Sequence, residues 1–65
     1  MSQLKQALQW VLNAKEGAYT YGLHEDFAPI GHMIITDMEQ NDYVSISDTQ
    51  LMTLTEKGKK KLEEA

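Results

Sequence analysis

The sequence predicts a small α+β domain whose elements follow one another as helix, short strand, helix, β-hairpin and helix. Three observations predict it. Residues 3–15 and 28–41 each repeat apolar side chains at helical spacing, residues 43–54 alternate apolar and polar side chains around a polar break, and Thr55 opens a charged helical stretch. The composition agrees, because 42% hydrophobic and 25% charged residues over 65 positions is globular and leaves room for one domain, residues 1–65. A chain of this size buries only about 60% of its unfolded surface, so it has a single core and little room for a deep substrate pocket.

In the first helix Leu4, Leu8, Val11 and Leu12 form the apolar stripe, with Ala7, Trp10 and Ala14 alongside and Gln3, Lys5, Gln6, Gln9 and Asn13 on the remaining surface. Ser2 is the expected N-cap and Gly17 the expected left-handed stop, which places the helix over 3–15. Residues 18–23 alternate Tyr19, Tyr21 and Leu23 with small or polar partners and are predicted to form a short edge strand.

The second helix is predicted over 28–41. Pro29 suits a first helical turn, Ile30, Ile34 and Met38 recur four apart with Met33 beside them and Ile35 near the edge, and Asn41-Asp42 is a left-handed stop. His32, Thr36, Glu39 and Gln40 fall on its wet face. Tyr43–Ser47 and Leu51–Leu54 then read as a β-hairpin broken by Asp48-Thr49-Gln50. The last helix has Thr55 as N-cap and Glu56/Lys60, Lys59/Glu63 and Lys60/Glu64 as i,i+4 pairs. Gly31 and Gly58 lie inside predicted helices at a cost of about 1 kcal/mol each, which implies close approach of another backbone; for Gly58 the first helix is the expected neighbour. Trp10, Tyr19, Tyr21, Phe27 and Tyr43 are expected mostly to close the core.

Two phrases carry a family resemblance. Met38-Glu39-Gln40-Asn41-Asp42-Tyr43-Val44 is similar to the helix end, turn and aromatic strand of small bacterial and phage winged-helix proteins. Leu54-Thr55-Glu56-Lys57-Gly58 followed by Leu62 is similar to the phrase with which that family enters its last helix. The resemblance covers residues 28–65, and YjcQ-like proteins share the layout. It implies a winged-helix-like fold with a nucleic-acid-binding or regulatory role, helix 28–41 standing as recognition helix and the hairpin as wing. The sequence departs from the pattern ahead of that helix. Residues 17–27, with Gly17, Gly22 and nearby Pro29, leave hardly one turn for the usual supporting helix, which is expected to be missing or reduced.

At the recognition-helix position, His32, Thr36 and Gln40 are the side chains available to base edges, with Gln40 suited to adenine and Thr36 to a thymine methyl. Lys57, Lys60 and Lys61 share a helical face and make a phosphate-contacting patch. The opposing signals are a formal charge of −4, no arginine, Asp37, Glu39 and Asp42 near the reading face, and an acidic rather than basic wing tip. A second reading therefore stands beside the first: an acidic protein-interaction module on the same fold, docking through Trp10, Tyr19 or the face of helix 28–41. Mimicry of nucleic acid by carboxylate rows is a third.

The chain reads as a non-enzyme. The four glycines are scattered rather than gathered into a phosphate loop, Ser45 and Ser47 have no evident base or oxyanion site, and Asp37 and Glu39 point to different sides of a helix. His24 and His32 lack ligand spacing, so neither a metal site nor a cofactor is predicted. The absence of cysteine suits a reducing cytoplasm, and no apolar run reaches the ~18 residues of a membrane span. The expected partners are thus double-stranded DNA or a protein, with a homodimer formed through Trp10 or the last helix as a further expectation.

Overall fold

The computed structural model describes residues 3–14 and 17–64, so the expected cap Ser2 and the last expected residue of the first helix, Lys15, lie outside the described residues. The chain folds as α1 (Gln3–Asn13), β1 (Ala18–Tyr19), α2 (Thr20–Asp26), α3 (Gly31–Gln40), β2 (Val44–Ile46), β3 (Leu51–Leu54) and α4 (Glu56–Glu63). It is an α+β domain of four helices and a three-stranded antiparallel sheet in the order β1-β3-β2.

Leu8 of α1, Leu23 of α2 and Met38 of α3 are the largest fully buried side chains, and Ala7, Val11, Ala18, Ile34, Ile35, Val44 and Met52 complete the core. Each fully buried aliphatic side chain of this kind stabilises by about 1.5–3 kcal/mol. The helical stripes are rotated slightly from their predicted centres. On α1 the core face centres on Ala7, Leu8 and Val11, and Leu12, 100° further round than Val11, is 55% exposed. On α3 it centres on Gly31, Ile34, Ile35 and Met38, so Ile35 is core and Met33 is 70% exposed.

The largest correction concerns residues 18–26. Only Ala18 and Tyr19 are extended, paired with Met52 and Leu51 at the sheet edge, and from Thr20 the chain turns into two helical turns. Thr20 enters the helix with its amide donated to the Gln50 carbonyl at 2.9 Å and its hydroxyl donated to Gln50 Oε1 at 3.2 Å. Gly22 lies under the Trp10 ring, so that a Cβ there would touch Trp10 Cη2 at 3.3 Å. Tyr21 faces water rather than core and stacks on Tyr19 with ring centroids 5.2 Å apart.

Residues 27–30 connect α2 to α3, with Phe27 N donating to Leu23 O at 2.9 Å and Ile30 N to Phe27 O at 3.0 Å. Pro29 therefore belongs to this connection and not to a helical first turn, and α3 begins three residues later than its pattern suggests. Gly31 explains the tightness: a Cβ at this position would lie 2.8 Å from His24 Cα. Asp42 ends the segment in the left-handed region at φ 61°, as its residue type allows.

The hairpin pairs Val44 with Leu54, Ser45 with Thr53 and Ile46 with Met52. Its tip is a turn closed by Gln50 N donating to Ser47 O at 2.9 Å, with Gln50 at φ 70°, the three-residue arrangement common in hairpins. Thr55 caps α4 by accepting from Gly58 N at 3.0 Å. Gly58 sits against the Tyr43 carbonyl, not against α1, and any Cβ would collide with that oxygen. The ion pairs seen on α4 are i,i+3 rather than i,i+4, Lys59 with Glu56 at 3.9 Å and Lys61 with Glu64 at 3.6 Å. Among the described residues no helix is long and apolar enough to cross a membrane.

Candidate functional site

Three elements converge on one face. Packing of Gly31 against His24 sets α2 and α3 side by side, and α3 in turn packs on β2, so the α3 surface and the hairpin tip form the two walls of an open cleft. Thr20 and His24 line it from α2; His32, Ile35, Thr36 and Glu39 line it from α3. Ile46, Ser47, Asp48 and Gln50 supply the opposite wall.

His24 and His32 were separate in the sequence and are adjacent here. Their exposed rings stack nearly parallel, with centroids 6.2 Å apart and an interplanar angle of 12°. The signal was Gly31, whose close approach to His24 brings its neighbour His32 to the same edge. Among the described residues no three His, Asp or Glu side chains gather to hold a metal ion. Ser47 shares the cleft with both imidazoles, yet its hydroxyl bonds to Thr49 Oγ1 at 2.9 Å and accepts from Leu51 N at 3.2 Å, which fixes it to the turn.

Of the candidate nucleic-acid contacts, His32 and Thr36 line the cleft, His32 exposed and Thr36 half-buried, and Gln40 is exposed at the carboxyl end of α3. Lys57, Lys60 and Lys61 stand on a different element. They belong to α4, which packs on α1 and β3, and Lys61 is paired to Glu64. Lys5 of α1 ties down the end of α4 by donating to the Glu64 carbonyl at 2.8 Å.

The charge of the face follows from these placements. Residues 20–54 hold six carboxylates, Glu25, Asp26, Asp37, Glu39, Asp42 and Asp48, and neither lysine nor arginine. Asp26 accepts from Trp10 Nε1 at 2.6 Å and Asp37 Oδ1 lies 3.4 Å from Asn41 Nδ2. Glu39 and Asp48, on the two walls of the cleft, make no ion pair among the described residues.

The candidate partner-binding aromatics are both engaged within the chain. Trp10 is half-buried, its ring covering Gly22 and its N–H given to Asp26, so it fastens α1 to α2. Tyr19 is half-buried and stacked on Tyr21, leaving Tyr21 as the exposed ring of that pair.

No protein-family model, curated protein or solved structure matches the chain.

Proposed function

We propose that this chain is a small, non-enzymatic winged-helix module with a regulatory role, and that α3 with the β2–β3 hairpin is the surface it presents to a macromolecular partner. One observation carries the reading: α2 and α3 are joined by a four-residue connection and locked by the Gly31–His24 contact, and a β-hairpin follows directly. A turn of this length between two helices is that of a helix-turn-helix, and in this reading the trailing hairpin takes the place of the wing. In this reading α2, seven residues long, takes the place of the supporting helix.

The partner is a protein. A duplex presents one negative charge per about 1.7 Å of axis, and proteins hold it chiefly with lysine and arginine. Here the helix that would enter the groove carries Asp37 and Glu39, the hairpin tip carries Asp48, and the lysines lie on other elements. Duplex DNA remains the second reading because α2 and α3 follow one another across a short turn and α3 exposes His32 and Gln40.

An amide NMR titration with a mixed-sequence duplex at low salt tests this assignment, since backbone attraction is least screened there. Unchanged α3 and hairpin resonances are expected. Salt-sensitive shifts confined to residues 31–40, Asp48–Gln50 and Lys57–Lys61 would overturn the protein partner and establish DNA.

A further inference from the structure

We infer that the cleft between α3 and the hairpin receives an arginine or lysine side chain from a basic segment of a partner protein. The inference rests on the reading of α3 and the hairpin as the contact surface, and it adds what that surface recognises. Two features of the cleft select the occupant. Its walls include the apolar Ile35, 8% exposed, and the half-buried Ile46. Its charged groups are the carboxylates of Glu39 and Asp48, one on each wall, and neither has an ion-pair partner among the described residues.

An aliphatic stem ending in a cationic donor group matches that combination, because lysine and arginine bury their methylenes on apolar surface while the head stays at the polar rim. The hydrogen-bond balance points the same way. The Thr20 hydroxyl is donated to Gln50 and the Ser47 hydroxyl is engaged with Thr49, while the carboxylate oxygens of Glu39 and Asp48, which only accept, remain open to a donor. A guanidinium brings five donors and no acceptor. A phosphate group would bring more acceptors and a charge of the same sign as the rim. The remaining carboxylates of residues 20–54 add a negative field that steers a basic segment toward this face.

The test is an amide NMR titration with a capped peptide of four Gly-Arg repeats, in parallel with a mixed-sequence duplex. Peptide-induced shifts are expected at Thr20, His32, Thr36, Glu39 and residues 46–50, with little change on α4. The double variant Glu39→Gln/Asp48→Asn should weaken peptide binding about fivefold or more, as expected for two partly exposed ion pairs. The charge-matched double variant Glu25→Gln/Glu63→Gln should stay within about twofold, as expected for carboxylates outside the cleft. Equal weakening by the two double variants, or shifts distributed over every exposed carboxylate, would overturn the cleft while leaving α3 and the hairpin as a contact surface. Duplex-induced shifts on α3 would overturn the protein partner. No shift on α3 or the hairpin with either probe would overturn both the cleft and the surface on which it rests.

Discussion

Replacing Gly31 by alanine tests the contact on which the geometry of the face depends. An alanine Cβ would lie 2.8 Å from His24 Cα and 3.3 Å from both His24 Nδ1 and Leu23 O. Carbon atoms pack at about 3.5–4.0 Å, so the methyl group intrudes by about 0.7 Å on the main chain of α2, which has no rotamer with which to yield. Overpacking of this kind costs about 1–3 kcal/mol. The helix preference of alanine over glycine offsets up to about 1 kcal/mol, and less at the first position of a helix. The expected net loss is about 1–2 kcal/mol, or roughly 5–15 °C in Tm for a domain of this size.

Gly22→Ala is the matched control, because its nearest atoms are Trp10 Cη2 at 3.3 Å and Cζ2 at 3.4 Å, on a half-buried ring that can shift by a few tenths of an ångström. Its stability should stay within about 0.5 kcal/mol of wild type or rise, the helix-interior gain opposing a small displacement. Thermal and urea unfolding followed by circular dichroism supply both numbers. A Gly31→Ala protein at least as stable as wild type, with unmoved α3 amide resonances, would refute the close approach of α2 and α3.

Further substitutions probe the joints around the face. Trp10→Phe removes the bond to Asp26 and should cost about 1 kcal/mol; a double-mutant cycle with Asp26→Ala should then show coupling of at least about 0.5 kcal/mol, and zero coupling would contradict the bond. Thr55→Ala should cost about 1 kcal/mol in urea unfolding by removing the cap on Gly58 N and the bond to Asp42 O, whereas Thr55→Ser should recover most of it. At Asp42, φ 61° makes valine about 1–2 kcal/mol worse than glycine, and equal stabilities would argue against a left-handed residue there.

The sequence was most readable where local pattern and tertiary packing agree. The alternation around Ser45 and Thr53 and the threonine ahead of Glu56 give the hairpin and the α4 cap within a residue or two of their observed places. The misreading of α2 has a definite physical cause. Tyr19, Tyr21 and Leu23 alternate like a strand, and Gly22 argues against a helix, but both signals are local. Burial of Leu23, the Trp10 ring over Gly22 and the Gln50 acceptors for Thr20 all come from residues distant in sequence, and together they outweigh a propensity difference of about 1 kcal/mol. The cleft was legible only in part for the same reason. His32, Thr36, Glu39 and Asp48 are evident as polar positions, whereas the adjacency of His24, Thr20 and Gln50 depends on how α2 docks.

That docking also decides how the lysines bear on function. Lys5 is committed to the end of α4, and Lys59 and Lys61 offset the carboxylates of their own helix and its flank. Lys5 therefore joins α1 to α4, and residues 20–54, which form α2, α3 and the hairpin, hold six carboxylates with no lysine or arginine among them. A groove-reading protein needs phosphate contacts flanking the recognition helix to fix its register before base contacts can discriminate. With this charge distribution each flanking contact would add repulsion, so the surface of α3 and the hairpin is better placed to meet a cationic protein surface than a duplex.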